Sequence, residues 1–111
     1  MKNFSVTRKS NDLLFISGQL PIDEDNSLQI SDCYEETMLC LKNLEKILIE
    51  NNLSKDNIVK VTVFTTELSG LADINKGFND FFEAAYPTRS LFEVSGIVGG
   101  AAVEIEAIAS L

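Results

Sequence analysis

The chain has 111 residues, 45% hydrophobic and 23% charged, the profile of an ordinary globular protein spanning one domain over 1–111 rather than a disordered chain. Nine basic side chains stand against seventeen acidic ones, a net charge of −8, so the average field repels polyanions and gives nucleic acid no electrostatic footing. Histidine is absent from the sequence, which removes Ser-His and Cys-His nucleophile pairs, most zinc sites and the usual general base of ribonuclease chemistry.

The first nine residues lack the apolar core of a secretory signal, and no later stretch approaches the roughly 18 apolar residues of a membrane span. The expectation is a cytoplasmic protein. Residues Phe4 to Lys9 alternate in polarity, Ser10-Asn11-Asp12 supplies turn formers, and Leu13 to Ile16 is apolar, which together predict a hairpin. Ser17-Gly18-Gln19-Leu20-Pro21 breaks the second strand. The loop Asp23 to Ser27 lacks the glycine and terminal glutamate of a calcium site.

Asp32 suits an N-cap, with Glu35 three residues on as in a capping box, and Tyr34, Met38, Leu41, Leu44 and Leu48 recur at helical spacing. A helix over about 33–51 follows, closed by Asn51-Asn52. Cys33 and Cys40 lie two turns apart on it, roughly 10 Å at the helical rise, too far for a disulfide. Both read as reduced core thiols, with reactivity at Cys33 the lesser reading.

Ile58 to Thr66 is rich in β-branched residues and predicts a strand, with Lys60, Thr62 and Phe64 on one face and Val59, Val61, Val63 and Thr65 on the other. Ser69 is placed to cap a second helix carrying Leu71, Ile74, Phe78 and Phe81. That helix must end before Tyr86-Pro87, because a proline disfavours helix at the residue before it. Two strands, Arg89 to Val94 and Ala102 to Ala109, follow on either side of a glycine-containing connection. The order is β-β-α-β-α-β-β, an α+β domain. Two helices against five strands make a two-layer sandwich with one bare sheet face, which favours a homo-oligomer.

Chemistry concentrates on two charged residues. Arg89 offers a planar fork of donors suited to a carboxylate, with a structural ion pair, for instance with Glu93, as the alternative. Glu104 and Glu106 share one face of the last strand. That face is either solvated or covered by an oligomer partner, where a carboxylate could hold or deprotonate a water. Gly99-Gly100 has neither the spacing nor the lysine of a phosphate loop.

Several segments in order, Ser17-Gly18-Gln19-Leu20-Pro21, Val59-Lys60-Val61-Thr62-Val63-Phe64, Asn75, Pro87-Thr88-Arg89-Ser90 and Val103-Glu104-Ile105-Glu106-Ala107-Ile108-Ala109, resemble the reactive intermediate deaminase family, also called RidA, YjgF or endoribonuclease L-PSP. The resemblance spans nearly the whole chain. It implies a chorismate-mutase-like sandwich, two helices on one face of a mixed sheet, and a homotrimer with ligand clefts between subunits. It also implies hydrolysis of 2-imino acids, such as 2-iminobutanoate and 2-iminopropanoate, to 2-keto acids and ammonia without metal or cofactor. In that scheme Arg89 clamps the carboxylate and Glu104 positions the attacking water. The backbone at Ser17 and Gly18 borders the imine, Asn75 lines the cleft, and the main chain at Leu91 helps hold the carboxylate.

The chain also departs from the family pattern. Phe4 stands where the deaminating branch carries a cleft tyrosine, and Leu91 where it commonly has cysteine. Ile97-Val98-Gly99-Gly100 replaces the usual Leu-Pro-Lys-Gly. The missing hydroxyl motivates a second reading, a non-catalytic or regulatory protein binding a small carboxylate in the same cleft. Endoribonuclease activity is a third, opposed by the net charge and the missing histidine.

Overall fold

The computed structural model describes residues 3–111. The alternating N-terminal run forms β1 (Thr7–Ser10) and β2 (Leu13–Gln19), an antiparallel hairpin. Its tight turn places Asn11 at φ 53°, the left-handed region that asparagine tolerates better than most residues. Helix α1 (Cys33–Glu50) starts at Asp32, whose side chain accepts from the Glu35 N–H at 2.8 Å. The carboxylate that reaches back across this cap is Glu36 rather than the expected Glu35, accepting from the Ser31 N–H at 3.0 Å. Asn51 caps the other end, and Asn52 turns the chain at φ 61°.

After a short 3-10 turn come β3 (Ile58–Thr65), α2 (Leu71–Phe81), β4 (Thr88–Glu93) and β5 (Val103–Ser110). The sheet order is β1-β2-β5-β3-β4, with β3 and β4 parallel and every other pair antiparallel. Both helices cover one face, closing a core in which Leu41, Leu44 and Leu48 of α1 and Ile74 and Phe78 of α2 meet the inward residues of β2, β3 and β5. The other face stays open, and Phe15 and Phe92 stand on it 41% and 55% exposed. This is the mixed two-layer α+β architecture that the element order predicts. Among the described residues no helix is long and apolar enough to cross a membrane.

Two further local expectations are corrected. Val59 does not join Val61 and Val63 on the buried face. The register slips between Ile58 and Lys60, so an extra residue bulges from β3, Ile58 takes the inward place and Val59 is exposed. Ser69 does not cap α2. It lies inside the 3-10 turn Leu68–Gly70, and Gly70 precedes the helix with no side-chain cap. Helix α2 ends at Phe81, before Tyr86-Pro87 as expected. There Phe82 turns to extended backbone and buries its ring against Phe78 and Phe81, at centroid separations of 5.8 and 4.9 Å.

Candidate functional site

The open face carries the first half of the predicted constellation. Along β5 the residues Val103, Ile105, Ala107 and Ala109 point into the core, so Glu104 and Glu106 project from the open face as the alternation predicts. Opposite Glu106 the pairing of β2 slips: Ile16 faces Ala107 and Gln19 faces Ile105, so Ser17 and Gly18 together occupy the space of one residue. This bulge brings bare backbone against Glu104. A Cβ on Gly18 would overlap Oε2 of Glu104 and lie 2.9 Å from its Cδ, so the carboxylate rests where any larger residue would stand. Partial burial first, and Glu106 second, hold the Glu104 carboxyl above the ordinary glutamate range. Ser17 borders a cavity of about 440 Å³ on this face, with Phe15 as part of its apolar lining and Arg8, Lys60 and Glu106 as its charged residues.

The second half lies on the helix-covered face, at the sheet's edge. Arg89 pairs with Val61, which is buried, and Ser90 with Thr62, so Arg89, Leu91 and Glu93 face α2 while Ser90 and Phe92 face outward. Arg89 Nη2 donates to Asn75 Oδ1 at 2.7 Å, and its guanidinium stacks over the Phe78 ring at 4.9 Å. Both partners are neutral. The ion pairs among the described residues are Lys55–Glu83 and Lys76–Asp80, and Glu93 instead accepts from the Leu68 N–H at 3.2 Å. The structural ion pair considered for Arg89 is therefore not formed. Its charge borders a cavity of about 370 Å³ lined by Asn75, Phe78, Asn79, Tyr86 and Pro87.

The structure thus joins Glu104 with Ser17 and Gly18, and Arg89 with Asn75, but it does not join the two groups within one chain. Glu104 is in register with Phe64 and Phe64 with Phe92 on the open face, whereas Arg89 is in register with Val61 and Val61 with Ala107 on the covered face. Leu91 follows Arg89 on the covered face, its side chain partly buried against the core. Phe4 is 69% exposed and borders a shallow hollow with Asn3, Ser5 and Arg8.

The surroundings of Cys33 disfavour its thiolate: burial, and then Glu67, push it up to about 11, and its Sγ lies 3.6 Å from Glu67 Oε2. Burial likewise raises Cys40, and both thiols are free. Sequence reasoning missed the roles of Phe78 and Tyr86 beside Arg89. For Phe78 the signal was present, since it lies three residues after Asn75 and shares its helix face.

A family model described as "Endoribonuclease L-PSP" matches residues 1–111. The RutC family protein y4sK of Sinorhizobium fredii is 42% identical over 109 residues, covering 97% of this chain and 86% of its own. The Escherichia coli protein named "Putative reactive intermediate deaminase TdcF" is 37% identical over 100 residues, covering 87% of this chain and 78% of its own. Among solved structures, the Rid family protein YyfA of Yersinia pestis superposes with a TM-score of 0.94 at 36% identity, covering 100% of this chain and 90% of that one. Escherichia coli TdcF with bound serine gives 0.91 at 31% identity, covering 100% and 90%.

Proposed function

This chain belongs to the endoribonuclease L-PSP family, and from that premise we propose that it hydrolyses 2-imino acids of the 2-iminobutanoate and 2-iminopropanoate type to 2-keto acids and ammonia. The observation that carries this reading is Arg89, a permanent cation held in orientation by Asn75 and Phe78 with no acidic partner among the described residues. Such a fork is prepared for a carboxylate from outside the chain. The serine bound to TdcF, itself a small carboxylate, agrees with that ligand class.

The reaction asks little of the protein. An iminium carbon is already electrophilic, so orientation and one placed water supply most of what is needed. The Glu104 carboxylate takes a proton from water as the water oxygen bonds to the iminium carbon, giving a neutral carbinolamine. The proton then passes from Glu104 to the amine nitrogen. The carbon–nitrogen bond breaks, its electron pair leaves with ammonia, and the hydroxyl collapses to the keto group, its proton leaving as ammonium. Ser17 and Gly18 border the reacting carbon, and the main chain at Leu91 supplements the Arg89 clamp.

Since Arg89 and Glu104 occupy opposite faces, the working site takes one residue from each of two subunits. A homotrimer with the open faces turned inward supplies that arrangement and covers Phe15 and Phe92.

The test is to generate the imine in situ with an amino-acid oxidase and follow its capture by semicarbazide. Accelerated loss of the semicarbazone signal, with keto acid and ammonia formed faster than in buffer, is the expected result. A buffer rate with 2-keto acid still bound would instead identify a carboxylate-binding protein without catalysis, the reading that Phe4 in place of a tyrosine favours.

A further inference from the structure

Among the described residues Glu36 is the one acidic side chain in the buried core, with 0% of its surface exposed. A carboxylate there is costly to desolvate, so its bonding determines what it is for. Its Oε2 accepts from the Ser31 N–H at 3.0 Å, ahead of α1, and its Oε1 accepts from the N–H groups of Ala102 at 2.8 Å and Val103 at 3.2 Å. Ala102 and Val103 are the two residues immediately before Glu104. The same point is held from other sides: Ala102 O accepts from the Thr66 N–H at 3.1 Å, and Val103 O lies 3.6 Å from the Cys40 thiol. The connection that leads into it has little of its own to fix it, turning through Gly99 and Gly100 at φ 74° and 83° with a single local bond from the Gly100 N–H to Ile97 O.

We infer that Glu36 is a positioning residue for Glu104: its carboxylate ties the first turn of α1 to the entry of β5 and so fixes where the water-holding carboxylate emerges beside Gly18. The inference rests on the imine-hydrolysis reading for its consequence but not for its geometry. A carboxylate suits the role, because its two oxygens accept from three backbone donors on two sides, which an amide of the same length, with one oxygen, could not do.

The experiment compares Glu36→Ala, Glu36→Gln and Glu36→Asp by steady-state imine hydrolysis and by amide hydrogen exchange. Glu36→Ala should lower kcat about 100-fold, the scale of an ångström of misplacement, while KM for the imino acid stays within about twofold, because Arg89 is untouched. Its loss of amide protection should be confined to residues 102–105. Glu36→Gln keeps an acceptor for Ala102 and Val103 and opposes a donor only to Ser31, so kcat should return to within about fivefold of wild type. If Glu36→Ala does not fold, Glu36→Asp carries the test: it keeps the charge but is one carbon short, and a kcat loss of about tenfold at unchanged KM is expected. A folded Glu36→Ala or Glu36→Asp with full kcat overturns the inference, as does loss of protection spread evenly over the sheet. If wild type itself fails to hydrolyse imines, the functional reading falls, and the exchange pattern at 102–105 still decides whether Glu36 positions β5.

Discussion

Arg89 and Glu104 stand on opposite faces of one sheet, on strands that both pair with β3. A site that uses both must draw them from different copies of the chain, and this makes a sharp prediction about mixtures. Arg89→Ala and Glu104→Ala homo-oligomers should each lose about 100-fold or more in kcat/KM. In an equal mixture, refolded together, about a quarter of the head-to-tail interfaces join an intact arginine to an intact glutamate, so about a quarter of wild-type activity should return. Assays before and after co-refolding check it. Two impaired parents that stay impaired in a verified mixed oligomer would show that each chain uses its own pair.

Gly18 and Glu104 give a second test. The carboxylate occupies the volume that a Cβ on Gly18 would need, so Gly18→Ala must push it aside. The expected outcome is a fall of about 100-fold in kcat with KM little changed, since the displaced group holds water rather than substrate. Circular dichroism should show the fold retained, because the bulge lies outside the helix-packed core.

The pH profile follows from Glu104. Its carboxyl titrates above the ordinary glutamate range, through burial first and Glu106 second. As a base it must be ionised, so the acidic limb of kcat/KM should lie above pH 4.5. Glu106→Gln removes the lesser cause, and should move that limb to lower pH without restoring the ordinary value. A folded-state value raised in this way means that the folded chain binds the proton more tightly than the unfolded one. The contribution of Glu104 to stability is therefore fully present below the unfolded pKa and is lost as pH rises through the folded one. A limb that Glu106→Gln leaves in place would assign it to another group.

Much of this was legible in the sequence because it is local. The spacing of Leu41, Leu44 and Leu48, the cap at Asp32 and the alternation Val103 to Ile108 each fix one element without reference to the rest. What the sequence could not carry is register between strands far apart in the chain. Arg89 and Glu104 each read correctly as side chains on a strand, yet which face each takes depends on Val61 opposing Arg89 and Phe64 opposing Glu104, and a slip of one residue would reverse it. Within one chain the two therefore share no cleft. The bulges at Val59 and at Ser17-Gly18 escaped for the same reason, since an extra residue is visible only against its partner strand. Glu36 was obscured by Glu35 beside it, because Glu35 has the three-residue spacing of a capping box and only the packing of β5 singles out Glu36.

The last prediction separates the charge of Arg89 from its shape. Arg89 is exposed, and its in-chain contacts are one bond to Asn75 and a stack on Phe78, so Arg89→Ala should change stability by less than about 1 kcal/mol. Its effect on kcat/KM should be about 100-fold, the scale of a lost charge-assisted contact to a carboxylate. Arg89→Lys keeps the charge but presents a point donor where a planar fork is required, and it should recover less than about tenfold of that loss. Asn75→Ala leaves the fork but frees its orientation, and should raise KM about fivefold, the worth of one ordinary hydrogen bond. Thermal melts with steady-state kinetics on the three variants check this ordering. If Arg89→Lys restores full activity, only a positive charge was needed; if Arg89→Ala fails to assemble, the arginine holds the oligomer together instead of the substrate.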